Sequence, residues 1–296
     1  MRALHWSLVL VVAGCGGEHG PTDDGDFTGG IAPPPGAVAE FTRMPVDYPA
    51  EGTIEPLGHL NPPGHTLPTD HTYFYPVDYD HPPAERDTAT RTVYAPATGA
   101  VFFMIQPVGT DWKVDFRVTS TFTYYLDHII PRPDIKVGTI VHAGEAIGTT
   151  NPGGSIDLGA ADQAVPVLSG FANTNRYGLE TLHCVNPFAY FAEPLRSQIY
   201  ARQRRVAGAN PEARIDFDVP GRLIGNWFEQ SVPNSMESSG PAGWPKSLAF
   251  VYDNYDPGKV RIAIGGTVAA PGIWTIDDDA PRPESVSMAS GLVAYR

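Results

Sequence analysis

The sequence predicts a mainly β protein, with two β domains joined by one helix, and three observations support this. The chain has 296 residues, more than a single domain of roughly 100–200 residues holds. Its 31 glycines and 30 prolines favour turns over long helices. From about residue 57 to 170, and again after residue 213, apolar residues alternate in short runs that end near glycine or proline. Such runs are typical of β-strands.

The first β domain is predicted over residues 51–185. Its clearest strand covers residues 114–122, because alternation there places four apolar side chains on one face: Val114, Phe116, Val118 and Phe122. Further strands are predicted at 73–75, 92–94 and 99–101. Glycines between small apolar residues at 137–148 predict strands that fold back through tight turns.

One connecting helix is predicted over residues 186–208. Asn186 is a good N-cap, Pro187 suits the first helical position, and Pro194 should kink or interrupt the helix. The small C-terminal β domain is predicted over residues 209–296. Its strand candidates are 214–219, 222–228, 247–252 and 259–264, with a final hairpin over 285–296.

The composition excludes some partners. The net charge is −13 and the isoelectric point is near 5.0. Because a nucleic acid needs a basic surface, we expect no nucleic-acid partner. The 42% of hydrophobic residues allow a large core that needs no disulfide.

The first fifteen residues predict export. Arg2 precedes a short apolar stretch that ends in Val12-Ala13-Gly14-Cys15. This tetrad resembles a bacterial lipobox, which implies a lipoprotein signal peptide over 1–15, a lipidated Cys15 and attachment to the cell envelope through a lipid anchor. An ordinary signal peptide is the alternative. Residues 16–50 contain few large apolar residues, so we predict a flexible tether there.

The segment from residue 59 to residue 71 contains several histidines and a carboxylate. His65, Asp70 and His71 stand close together in a segment rich in proline and glycine. Zinc prefers neutral imidazole and carboxylate ligands, and a catalytic zinc keeps one position open for water. Asp70 could be a ligand or could orient a histidine. The alternative is that these residues are ordinary polar residues of a surface turn.

These residues and two further segments resemble the lysostaphin-type, or LytM-like, zinc endopeptidases that cut peptidoglycan. The resemblance covers residues 57–165, and it rests on the loop from His65 to Asp70 and on the segments 93–101 and 137–148. It implies an antiparallel β-sheet core, with zinc bound by His65 and Asp70. His128 matches the place of an active-site histidine that assists the water.

The departures from the family pattern lead us to expect lost catalysis. Four residues separate His65 from Asp70, where the family has three. The family's His-x-His pair is replaced by Ser155-Ile156-Asp157, and no histidine occurs between His142 and His183. Asp157 could bind a metal, but a carboxylate cannot replace a neutral imidazole.

We therefore expect a non-catalytic cell-envelope lipoprotein without a cofactor, which acts in binding or regulation and has peptidoglycan or cell-wall enzymes as partners. One alternative is a zinc hydrolase with an altered site of His65, Asp70 and Asp157, with His128 near the water. Another is carbohydrate binding by the C-terminal domain, whose aromatic rings could stack on sugars. The candidate rings are Trp227, Phe228, Trp244 and Trp274. Core packing explains these rings equally well.

Overall fold

The computed structural model describes residues 29–47, 52–75 and 88–295, and it confirms a mainly β fold. The predicted signal peptide and Cys15 lie outside the described residues, as do residues 16–28 and 48–50 of the predicted tether. The strands of the described residues are β1 (Thr53–Glu55), β2 (His71–Tyr75), β3 (Thr92–Tyr94), β4 (Gly99–Val108), β5 (Asp111–Arg117), β6 (Phe122–Pro131), β7 (Ile140–Val141), β8 (Ala146–Thr150), β9 (Ile156–Asp162), β10 (Gly225–Phe228), β11 (Ser247–Tyr252), β12 (Val260–Ile264) and β13 (Gly272–Thr275).

Strands β1–β9 form one antiparallel sheet in the described residues. Its main path runs β1-β2-β9-β6-β5-β4-β7, and β8 joins β3 to β6. One face of this sheet carries fully buried apolar side chains such as Phe74, Phe116, Leu126 and Ile156. Because side chains alternate along a strand, the residues between them point to the other face, where the polar residues of the candidate site lie.

The single strand predicted over residues 114–122 is in fact a hairpin. The chain turns between β5 and β6, where the backbone N–H of Val118 donates to Phe122 O at 3.0 Å. The hydroxyl of Thr119 accepts a hydrogen bond from the N–H of Phe122 at 3.0 Å. Hydroxyl side chains favour such turns because they bond to nearby backbone groups. The predicted apolar face survives, since Val114 and Phe116 are both fully buried.

The prediction of a flexible tether is wrong for residues 29–47. Phe41 and Val46 are fully buried in the main core, and Phe41 N donates to Tyr190 O at 2.8 Å. The Phe41 ring lies 5.1 Å from the ring of Phe191, centroid to centroid. Low average hydrophobicity concealed these two anchors, because a few large apolar side chains suffice to dock a segment of this length.

The connecting helix is shorter than predicted and is divided in two. Asn186 caps a 3-10 helix (Pro187–Tyr190) as expected, since its side chain accepts from the N–H of Phe188. Pro194 interrupts the run and is the N-cap of an α-helix, Leu195–Arg202. An earlier α-helix, Leu179–Leu182, was not predicted.

Strands β10–β13 form a second antiparallel sheet in the order β10-β11-β12-β13. The predicted strand at 214–219 and the hairpin at 285–296 are wrong, because these segments form loops and 3-10 turns in the described residues. Strand β13 was not predicted. A shared apolar cluster connects the two parts of the chain, since Leu57, Leu67 and Cys184 pack with Ile215 and Ala249. None of the helices in the described ranges is long and apolar enough to cross a membrane.

Candidate functional site

The register of three strands, β2, β9 and β6, brings the polar side chains of the large sheet together. His71 of β2 pairs with Gly159 of β9, and Gly159 pairs with Tyr125 of β6. One row further, Tyr73 pairs with Asp157, which pairs with Asp127 of β6. Cross-strand partners share a face and lie about 5 Å apart. The two rows therefore form one polar surface.

A β-bulge turns His128 onto this polar surface. The register between β5 and β6 shifts between the pairs Trp112–Ile129 and Val114–Leu126, so β6 holds one extra residue there. His128 takes the left-handed φ of 65°, and its N–H donates to Asp127 Oδ1 at 2.7 Å. Leu126 and Ile129 are both fully buried in the core. The bulge thus lets both Asp127 and His128 leave the core face between them.

His71 is held at both ring nitrogens. Its Nδ1 lies 3.2 Å from Asp70 Oδ1 and 2.9 Å from the Tyr125 hydroxyl. Its Nε2 lies 2.9 Å from the Tyr73 hydroxyl and 3.3 Å from Asp157 Oδ2. Burial alone would lower the pKa of His71, but Asp157 and Asp70 outweigh it and raise the pKa above its ordinary value.

Asp157 lies between two histidines in the interior. Its side chain is 1% exposed, and its Oδ2 lies 3.3 Å from His71 Nε2 and 3.4 Å from His128 Nε2. Neither carboxylate oxygen has a hydrogen bond of good geometry, so the contacts of Asp157 with the two imidazoles are electrostatic. Burial alone would raise the pKa of Asp157, but His128 and His71 hold it below its ordinary value. His128 is positioned from behind, since its Nδ1 lies 2.7 Å from Asp111 Oδ2.

Asp70 is fully engaged within the protein. Its Oδ1 accepts from the Tyr125 hydroxyl at 3.1 Å, and its Oδ2 accepts from the Thr181 hydroxyl at 2.5 Å. These bonds and the contact with His71 overcome burial and hold the pKa of Asp70 below its usual range. Asp70 therefore orients His71 and does not face the centre of the site as a free ligand.

His65 lies at the junction with the C-terminal domain. Its ring centroid is 5.4 Å from that of His71 and 5.4 Å from that of Trp244. The neighbouring hydroxyl of Thr66 donates to Trp244 O at 2.9 Å, so this contact is fixed on both sides. Burial and the nearby His71 lower the pKa of His65 to about 3, and its imidazole is neutral at physiological pH.

The predicted residues therefore converge, but not as a zinc site. His65, His71, His128 and Asp157 surround one buried region, with Asp70 behind His71. The resemblance implies zinc on His65 and Asp70, whereas both Asp70 oxygens are used by protein groups and the Asp157 carboxylate occupies the space between two imidazoles. Within the ranges that the structure describes, no group of three or more His, Cys, Asp or Glu side chains has the arrangement that a metal ion needs. As they stand, these residues do not fit the metal.

Several contributors were missed at the level of sequence. Tyr73, Tyr125 and Asp111 each hold one of the histidines. The alternation of Tyr125 and Asp127 in β6 is a signal that could have indicated a polar face. No local signal marks Asp111, which meets His128 only through the pairing of β5 with β6. Cys184 is buried, and burial raises the pKa of its thiol.

Comparison with known proteins finds partial likeness to solved structures. No sequence-family model matches the chain, and no curated protein matches it. A zinc-containing peptidase from Vibrio cholerae is 16% identical, with a TM-score of 0.33 over 50% of this chain and 39% of its own. Lysostaphin is 13% identical, with a TM-score of 0.30 over 61% of this chain and 64% of its own.

A chain of the SpoIIQ–SpoIIIAH pore-forming complex is 12% identical, with a TM-score of 0.36 over 54% of this chain and 97% of its own. This chain therefore spans less than two thirds of the length of the Vibrio peptidase and of lysostaphin. At these scores the superposition is partial and carries no argument about activity. Among the solved structures that match are peptidases of the kind that the sequence motifs resemble.

Proposed function

We propose that this protein is an exported, lipid-anchored cell-envelope component whose first β domain binds cell-wall material without hydrolysing it. The observation that supports this most directly is the position of Asp157 between His71 and His128, at 3.3 and 3.4 Å. A hydrolytic zinc site needs three protein ligands and an open position for water. Here the carboxylate of Asp157 lies between the two imidazoles instead.

The surroundings of this network support a binding role. His128 is the most accessible member of the network, with its side chain 27% exposed, and its partner Asp111 is 19% exposed. The Asp70 side chain is 22% exposed, whereas Asp157 and His71 are buried, so His128 is the member that a ligand reaches most easily. Cell-wall peptides present carboxylates and amides, and an imidazole paired with a carboxylate can donate or accept a hydrogen bond with either group. The choice of cell-wall material follows from the sequence resemblance.

The proposal predicts binding to purified cell walls without release of soluble fragments. Ser155 stands where the resemblance places a catalytic histidine, and loss of one group that stabilises developing charge typically costs ~10²–10³ in rate. Co-sedimentation of the mature chain with walls measures binding, and solubilised fragments measure turnover, each with and without added zinc. We expect His128→Ala to weaken binding and the exposed His142→Ala to leave it unchanged.

One result would replace this proposal with the zinc hydrolase. Fragment release that requires zinc, stops in a chelator and is lost in both His65→Ala and His71→Ala would establish catalysis. Absence of wall binding by the parent chain would refute the binding role itself.

The lipid anchor predicts that Cys15→Ala shifts the protein from the membrane fraction to a soluble or unprocessed form. The thiol of Cys15 would carry the lipid, and one or two acyl chains govern whether a protein stays at a bilayer. Detergent partitioning of the parent and the variant measures the shift, with Cys184→Ala as the matched control. Equal partitioning of processed Cys15→Ala and parent would contradict the assignment.

A further inference from the structure

The C-terminal sheet has one face that the first domain does not cover. Its other face packs into the shared core, where Ala249, Val251 and Ala263 are fully buried. On the opposite face, cross-strand pairing runs from Trp227 through Leu248 and Ile264 to Gly272. The adjacent row runs from Phe250 through Ile262 to Trp274. The C-terminal segment covers the Phe250 end of this second row, where the Tyr295 ring lies 5.9 Å from the Phe250 ring, centroid to centroid, and Ile276 is buried.

Two exposed indoles stand at opposite edges of this face. Trp227 of β10 is 44% exposed and Trp274 of β13 is 46% exposed. Three strand spacings of about 4.8 Å place these strands ~14 Å apart. The half-buried Leu248, Ile262 and Ile264 lie between them. In strands β10–β13 every residue whose side chain alternates onto this face is uncharged.

Both rings are held in place by the protein itself. Trp227 Nε1 donates to Leu223 O at 2.6 Å, which uses the polar atom of the indole and fixes the ring. The ring of Trp274 lies over Gly272, because a Cβ atom at position 272 would approach Trp274 Cη2 to 2.8 Å. Because glycine has no side chain, position 272 provides the space in which the Trp274 indole packs along its strand. Pre-oriented rings lose little conformational entropy when a ligand binds.

We propose that Trp227 and Trp274 form a binding platform for an uncharged polysaccharide. Sugar rings have apolar C–H faces that stack on aromatic rings while their hydroxyl groups remain in water, and an uncharged face imposes no electrostatic penalty on them. Strands β10–β13 place no cation on this face for a phosphate-bearing ligand.

The exposed area also favours this occupant over a second copy of the chain. Aromatic side chains present roughly 150–250 Å² each, so two indoles that are a little under half exposed offer on the order of 200 Å². A stable dimer buries about 800 Å² per partner. The platform thus suits a few sugar rings. This inference does not rest on the proposed function, because it concerns a different sheet and none of the site residues.

The test uses the full mature chain and two neutral polymers, insoluble chitin and insoluble cellulose. We expect the parent to be retained on at least one, and Trp227→Ala or Trp274→Ala to weaken retention about tenfold. Gly272→Ala should weaken it as well with both indoles present, because the added methyl group lifts the Trp274 ring. Ile273→Ala is the matched control, since Ile273 is 40% exposed on the same strand but points to the other side.

Several results would refute the proposed platform. Failure of the parent to bind either polymer, or equal retention of the tryptophan variants, refutes it. Dimerisation or binding to neutral phospholipid vesicles that the tryptophan variants abolish would assign the face to a second copy or to a membrane instead. These polymers contain no peptide, and the His128→Ala variant should bind them normally. A negative result with the polymers would therefore refute the platform without refuting the proposal that the first domain binds cell walls. Thermal unfolding of each variant checks that the fold is retained.

Discussion

Phe41→Ala is expected to lower the free energy of unfolding by about 3–5 kcal/mol, the usual cost of removing a buried phenylalanine ring. Phe41 is fully buried, and its ring lies 5.1 Å from Phe191, 5.4 Å from Tyr124 and 5.8 Å from Phe122. Backbone bonds on both sides hold the segment, since Phe41 N donates to Tyr190 O and Phe41 O accepts from Ala192 N. Removal of the Phe41 ring would therefore create a cavity that the surrounding aromatic side chains cannot fill.

Chemical denaturation of the parent and the variant measures this loss. Val38→Ala is the matched control in the same segment, because Val38 is 63% exposed and its truncation should change stability by less than ~0.5 kcal/mol. Limited proteolysis should also leave a core of the parent protein that begins before Phe41. If Phe41→Ala lowers the free energy of unfolding by less than about 1 kcal/mol and the protein is cleaved early near residue 41, the segment is a flexible tether after all.

Asp157→Asn is expected to destabilise the protein by about 3 kcal/mol near pH 5, since removal of one partner leaves a buried charge uncompensated. The folded-state pKa of His71 is raised, so the stability it provides is fully present below the ordinary value of 6.5 and is lost as the pH rises through the folded pKa. The folded-state pKa of Asp157 is lowered, so its contribution is present above 3.8 and is lost as the pH falls through its folded pKa. The cost of the substitution should thus be largest between about pH 4 and 6.5 and should fall as the pH rises through the folded-state pKa of His71.

Unfolding curves of the parent and Asp157→Asn at several pH values measure this dependence. Because the pKa of His65 is lowered to about 3, the parent and the variant both lose stability as the pH falls below 6.5. The difference in unfolding free energy between the two proteins removes this shared contribution. Asp278→Asn is the control, since its ion pair with Lys259 at 2.8 Å is exposed and should contribute less than ~1 kcal/mol. A cost of Asp157→Asn that does not decrease at any pH above 6.5 would show that His71 is not a charged partner of Asp157.

Much of the site could be named from the sequence, but not its arrangement. His65, Asp70, His71, His128 and Asp157 stood out because imidazole and carboxylate are ligand types that zinc prefers. The role of Asp70 could not be foreseen, since its partners Tyr125 and Thr181 are 55 and 111 residues away along the chain. The orientation of His128 depends on a bulge, and regular alternation would have placed this residue on the core face.

The four candidate rings of the C-terminal domain illustrate the same division. The sequence allowed either stacking on sugars or core packing for all of them. In the structure, Trp227 and Trp274 are exposed on one side of the sheet, whereas Trp244 lies in the 3-10 turn before β11 and is buried against His65. One residue of register decides which face a side chain occupies.

By itself, the sequence determined the fold class, most strand positions and the cap at Asn186, because alternation, turn residues and helix caps act over a few neighbouring residues. Tertiary structure alone decided that residues 29–47 dock on the core, that β5 and β6 form a hairpin and that Asp157 lies between two histidines. These features depend on contacts between residues far apart in the chain, and their free energy comes from burial and ion pairing that exist only once the strands are in register.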